Sequence, residues 1–154
     1  MSRERPLDVS DRIPAFRLTD DRGRVVTEAD FAGRKVVLYF YPKDDTPGCT
    51  REACAFRDGL EAFEERGATV MGISADDEAS HVRFRDKYEL NHPLLSDPDH
   101  SVCEAFGVWG EQSFRERKYM GISRTTFVIR DGVVTQVYPD VDVTGHAERI
   151  LADL

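Results

Sequence analysis

Lys35-Val36-Val37-Leu38-Tyr39-Phe40-Tyr41 is a mostly apolar run of strand formers, the pattern of a strand buried on both faces. Such a strand needs a covering layer on each side of its sheet. Pro42 to Gly48, with its aspartates, prolines and glycine, reads as a loop. A helix is expected from about Pro47 to Arg66, stopped by Gly67. Ala68 to Ala75 reads as a second buried strand and Asp76 to Leu90 as a second helix. The strand–helix–strand succession implies a right-handed crossover and a parallel central pair.

Around this unit the signals are shorter. Phe16 and Leu18 alternate with polar neighbours as in an edge strand, and Asp20-Asp21-Arg22-Gly23 reads as a turn. The stretch after Leu90 reads as loop-rich, with a short helix near Ser101 to Phe106. Thr125 to Ile129 and Val133 to Tyr138 flank Arg130-Asp131-Gly132, a hairpin signal. A last helix starts at about Thr144. No repeat or linker divides the 154 residues, so one domain over residues 1–154 is expected. The fold class is α/β, a thioredoxin-like three-layer α/β/α sandwich with a mixed central sheet. A fold of this kind does not by itself give a function.

Charge and compartment narrow the field. With 29 acidic against 21 basic residues the formal charge is −8, a surface that repels phosphate backbones and argues against nucleic-acid binding. Met1-Ser2-Arg3-Glu4-Arg5-Pro6 has no apolar run behind it, and no stretch reaches the length of a membrane span. The expected location is therefore the cytoplasm, with no membrane partner. In a reducing compartment, closely spaced cysteines point to catalysis, redox exchange or metal rather than structural disulfides. The chain has three cysteines, Cys49, Cys54 and Cys103.

Pro42-Lys-Asp-Asp-Thr46-Pro47-Gly48-Cys49 carries most of the chemical information. Thr46 suits a helix N-cap and Pro47 the first helical position, which makes Cys49 the third helical residue. The unpaired N–H groups and dipole of a helix start favour a thiolate over a thiol. Cys49, Ala53, Phe56, Leu60 and Phe63 form one apolar stripe, so Cys49 should face inward. Cys54 stands about 140° round the helix, on a face with Arg57, Asp58 and Glu61. The plainer readings are a small buried apolar residue for Cys49 and an incidental surface thiol for Cys54. The cap position and the second cysteine favour chemistry. Cys103 has neither, and is read as a buried cysteine without a role.

Tyr41-Pro-Lys-Asp-Asp-Thr-Pro-Gly-Cys-Thr-Arg-Glu-Ala-Cys-Ala-Phe-Arg-Asp resembles the active-site string of the peroxiredoxins, in the bacterioferritin-comigratory or peroxiredoxin Q branch. Pro93-Leu-Leu-Ser-Asp97, Gly107-Val-Trp109-Gly and Tyr119-Met-Gly-Ile-Ser-Arg124-Thr-Thr-Phe-Val-Ile extend the likeness over most of the chain. The resemblance implies a thiol peroxidase for hydrogen peroxide and organic hydroperoxides, with Cys49 peroxidatic, Cys54 resolving, and Pro42, Thr46 and Arg124 completing the site. It also implies an intramolecular disulfide recycled by thioredoxin or in some members glutaredoxin, a monomer, and no cofactor. His92 departs from the branch, standing where an apolar residue is common. Arg124 taken alone reads as a surface salt-bridge residue; within the motif it is a fixed cation for the developing negative charge.

Two further readings compete. A thiol–disulfide oxidoreductase shares the fold but usually carries Cys-x-x-Cys, whereas four residues separate Cys49 from Cys54. A metal-binding module would need ligand spacing that His81, His92, His100 and His146 lack, so no metal site is expected.

Overall fold

The computed structural model describes residues 5–154, save the Phe114 side chain. Strand β3 (Lys35–Phe40) lies in the interior of the sheet and is followed in the chain by α1 (Pro47–Glu65) and β4 (Ala68–Ser74). The β3–β4 pair is parallel, with Val37 opposite Val70 and Tyr39 opposite Gly72. Gly72 is where Tyr39 needs room: a Cβ there would lie 2.7 Å from Tyr39 Cζ. Then come α2 (Glu78–Tyr88), β5 (Leu94–Ser96), α3 (Ser101–Ala105), β6 (Trp109–Phe114), β7 (Arg117–Ile122), β8 (Thr125–Arg130), β9 (Val133–Tyr138) and α4 (His146–Asp153). Before β3 lie β1 (Arg17–Asp20), β2 (Val25–Thr27) and a 3-10 turn over Glu28–Phe31. The main sheet has seven strands in the order β2-β1-β5-β4-β3-β8-β9, and β6 and β7 pair separately. With β4–β5 parallel and β3–β8, β8–β9 and β1–β5 antiparallel, the sheet is mixed, as expected for a thioredoxin fold.

Strand β3 divides its side chains between two cores. Val37, Tyr39 and Tyr41 pack with Phe56 and Phe63 of α1, Phe84 of α2 and Ile150 of α4. Val36, Leu38 and Phe40 pack on the opposite face with Phe31, Val102, Cys103, Phe106 and Phe127.

Several expected boundaries hold. Helix α1 gives way at Gly67, which has φ +72, and the β8–β9 turn uses Asp131 at φ +51 and Gly132 at φ +76. Helix α4 starts at His146 rather than Thr144, because Gly145 sits in the left-handed region at φ +69. The stretch after Leu90 is less loop-rich than expected: it holds β5 and the whole β6–β7 hairpin. That hairpin turns through Arg115 and Glu116 at φ +51 and +67, conformations usually announced by glycine or asparagine.

Candidate active site

The loop between β3 and α1 is tied down by buried polar contacts. Asp44 accepts from the Tyr41 hydroxyl at 2.6 Å and from Ser80 Oγ at 2.8 Å. His81 Nδ1 lies 2.7 Å from Asp44 Oδ2, and its Nε2 faces the Leu95 carbonyl at 2.9 Å. With an acceptor at each nitrogen, His81 carries both protons. Burial opposes that charge, but the hydrogen bond and charge of Asp44, with the Leu95 carbonyl, raise the His81 pKa. The Asp44 N–H donates to Asp76 Oδ2 at 2.8 Å. Asp44, Asp76 and His81 bring three ligand-type side chains together. Their facing atoms bond mainly to one another and to Ser74, Ser80 and Tyr41, so the cluster serves as an anchor for the loop.

Thr46 takes the extended backbone of an N-cap, and its carbonyl accepts from the Thr50 N–H at 2.8 Å. Its side chain departs from expectation. The hydroxyl does not cap the helix but donates to the Lys43 carbonyl at 2.8 Å, a bond reached because Asp45 turns the chain at φ +56. The first-turn N–H groups of α1 therefore keep no acceptor from Thr46. Pro42 is exposed at the rim of the loop. It shapes the chain there, while the cover over Cys49 comes from its apolar cluster with Tyr39, Tyr41, Ala53 and Phe56.

Cys49 is 1% exposed and begins the inward stripe, as expected. Cys54 is half-buried rather than on an open polar face, and packs against the edge of the same cluster. The end of α2 closes that flank: Arg57 Nη1 donates to the Tyr88 carbonyl at 2.6 Å, and Asn91 Nδ2 donates to the Arg57 carbonyl at 3.2 Å. All three cysteines are free thiols, and α1 is continuous through both Cys49 and Cys54.

Arg124, in the turn between β7 and β8, reaches Cys49. Its Nη2 donates to Cys49 Sγ at 3.3 Å, while Nη1 donates to Glu52 Oε1 at 2.7 Å. Burial weakens its charge, but Glu52 and Cys49 more than restore it, and its pKa is raised. Glu52 is 1% exposed. Burial raises its pKa to about 7 against the pull of Arg124. Behind it stands His146, whose Nε2 is 2.9 Å from Thr126 Oγ1 and 3.7 Å from Glu52 Oε2. Burial, with Arg149 and Arg124 nearby, lowers the His146 pKa to about 4.

Glu52 and His146 escaped the sequence reading. The signal for Glu52 was its place three residues after Cys49, on the same side of the helix; His146 was one of four isolated histidines and left none. Cys103 is buried in the other core, and burial together with Asp97 pushes its thiol pKa up.

A buried cysteine at a helix start, touched by an arginine that also holds a buried glutamate, on a thioredoxin-type sheet, is the site of a thiol enzyme of the peroxiredoxin class. Comparison with known proteins agrees. The AhpC/TSA family model matches residues 9–137. Peroxiredoxin Bcp of Escherichia coli is 46% identical over 147 residues, which is 95% of this chain and 94% of that protein. The bacterioferritin comigratory protein of Xanthomonas campestris superposes with a TM-score of 0.85 at 36% identity, covering 93% of this chain and 96% of its own. A mutant PrxQ of Xylella fastidiosa gives 0.90 at 35%, covering 96% and 94%. The chain belongs to the AhpC/TSA family, in its Bcp and peroxiredoxin Q branch. It is a peroxidase, an oxidoreductase acting through a thiol.

Proposed function

We propose that Cys49 is the peroxidatic residue and Cys54 the resolving one in a thioredoxin-dependent reduction of hydroperoxides. The observation that carries this is the Arg124 fork, with one nitrogen on Cys49 Sγ at 3.3 Å and the other on Glu52 at 2.7 Å. A guanidinium so placed stabilises negative charge both on the attacking sulfur and on the departing oxygen. The Cys49 thiolate attacks one peroxide oxygen, the O–O bond breaks, and uptake of one proton gives Cys49 sulfenic acid and water or an alcohol. The first-turn N–H groups of α1 face the developing charge. Thr46 Oγ1 has given its hydrogen to Lys43, so it serves as an acceptor for the O–H of the peroxide, and Pro42 holds the loop in shape.

Condensation of the sulfenic acid with the Cys54 thiol then forms a disulfide and releases water. An external dithiol, thioredoxin or a glutaredoxin, returns both cysteines to thiols by exchange. The X. campestris relative is described for alkyl peroxide reduction, which supports organic hydroperoxides alongside hydrogen peroxide as substrates. The reading places the enzyme in the cytoplasm as a monomer. Among the described residues no helix is long and apolar enough to cross a membrane.

The test is NADPH consumption with thioredoxin, its reductase and either peroxide. Cys49→Ser should reduce turnover to background, because an alcohol is a far poorer anionic nucleophile than a thiol. Substantial activity in that variant would remove the assignment.

A further inference from the structure

Glu52 lies between Cys49 and Cys54 on α1, and its side chain is almost completely withdrawn from water. Oε1 accepts from Arg124 at 2.7 Å, but Oε2 has no hydrogen-bond partner. His146 Nε2 stands 3.7 Å from Oε2 and is already engaged with Thr126. A buried carboxylate oxygen without a donor is costly. A proton on Oε2 lowers that cost, because a neutral carboxyl is less expensive to bury than a carboxylate.

The segment that holds Glu52 is also the one that must open. Residues five apart in a regular helix are about 8–9 Å apart at Cα and point about 140° apart, beyond the reach of a disulfide. Opening the stretch between the cysteines carries the Glu52 carboxyl from its cavity into water.

We propose that the Glu52 carboxyl is a proton-controlled latch on the start of α1: protonated on Oε2 it keeps the helix wound over Cys49, and ionised it favours the unwinding that brings Cys54 to Cys49. This rests on the reading of Cys49 and Cys54 as the redox pair. The groups facing the latch are Arg124 from the β7–β8 turn, Tyr39 from β3, Cys49 from α1, and His146 from α4 with Arg149 and Glu148 behind it. His146, with its pKa lowered to about 4, stays neutral around physiological pH.

The sign follows from the direction of the shift. In the wound helix the Glu52 pKa is raised from 4.5 to about 7, and in the unwound segment it reverts toward the lower value. The wound form therefore binds the proton more tightly. Its extra stability is full below about pH 4.5 and is lost as pH rises through about 7. Between pH 6 and pH 8 the opening constant should rise about tenfold.

Hydrogen exchange on the reduced, full-length protein at pH 6 and pH 8, corrected for the intrinsic rate at each pH, reads that constant directly. Protection of the amides from Thr50 to Cys54 should fall about tenfold in the wild type, and stay nearly constant in Glu52→Gln. An equal fall in both proteins, or none in the wild type, overturns the latch. Should Glu52→Gln not fold, carboxyl-carbon NMR titration of the wild type decides: a Glu52 midpoint near 7 supports the latch, and one at its ordinary value of 4.5 overturns it. The site reading fails separately, if peroxide treatment yields no disulfide between Cys49 and Cys54 while the reduced protein still shows the exchange profile.

Discussion

Arg124 points two nitrogens at different partners, Cys49 Sγ and Glu52 Oε1, whereas a lysine would have to reach both from one nitrogen, without the fixed planar fork. The residue that leaves room for this fork is Gly48. A Cβ built there would lie 3.1 Å from Arg124 Nη2, tight enough that the guanidinium must move by a few tenths of an ångström beside the sulfur. Gly48→Ala is a useful substitution because its two effects have opposite sign. Alanine favours a helix over glycine by roughly 0.5–1 kcal/mol, so thermal stability should not fall. The reaction of reduced enzyme with peroxide should nonetheless slow, by about tenfold if most of the Arg124 stabilisation is lost. Stopped-flow measurement of that first step decides; an unchanged rate would mean that Arg124 shifts without losing its hold on Cys49. Arg124 itself was legible only through the resemblance of its flanking string to a known family, since a lone arginine in a turn has no local signature. The buried Glu52 was less legible still. What keeps it inside is an arginine 72 positions away, and no local pattern in α1 encodes that partner.

At the scale of elements, α1 is both the best-specified piece of the chain and the piece that must come apart. Its start at Thr46-Pro47, its apolar stripe and its stop at Gly67 were all readable, because caps and periodicity are local. The β6–β7 hairpin was not readable: its polar strands lack a strong apolar alternation, and two non-glycine residues take positive φ at the turn. Strand β5, three residues long, falls below what a periodic pattern can reveal. For α1 the structure adds the cost of opening. Phe56 stacks on Tyr39 with ring centroids 4.6 Å apart and meets the His146 ring edge-on at 5.9 Å, so unwinding that spreads to Phe56 loosens the core on that face. Hydrogen exchange across residues 48–57 should show much lower protection in the disulfide form than in the reduced form. The disulfide form should also unfold at lower urea concentration. Equal, strong protection in both states would rule out unwinding and require a different resolving thiol.

Across the whole molecule, the sheet separates the cysteines into two environments. Cys49 and Cys54 belong to the core under α1, whereas Cys103 lies in the core on the other face, fully buried beside Asp97. The raised pKa of the Cys103 thiol keeps it protonated and unreactive. That partition follows from the alternation of β3 side chains, which was visible in the sequence as a run apolar at successive positions. Which core each cysteine joins was legible for Cys49, from its stripe, and not for Cys103, whose short helix carries too few positions to show a face. The central claim, that Cys49 and Cys54 form the redox pair, meets its most direct test in disulfide mapping. Reduced protein is treated with one equivalent of peroxide, alkylated under denaturing conditions and digested with trypsin. Cleavage after Arg51, which lies between the two cysteines, leaves their peptides joined only if the disulfide has formed. The account predicts that joined pair, with Cys103 recovered as the alkylated thiol; a disulfide that includes Cys103, or Cys54 recovered alkylated, would contradict it.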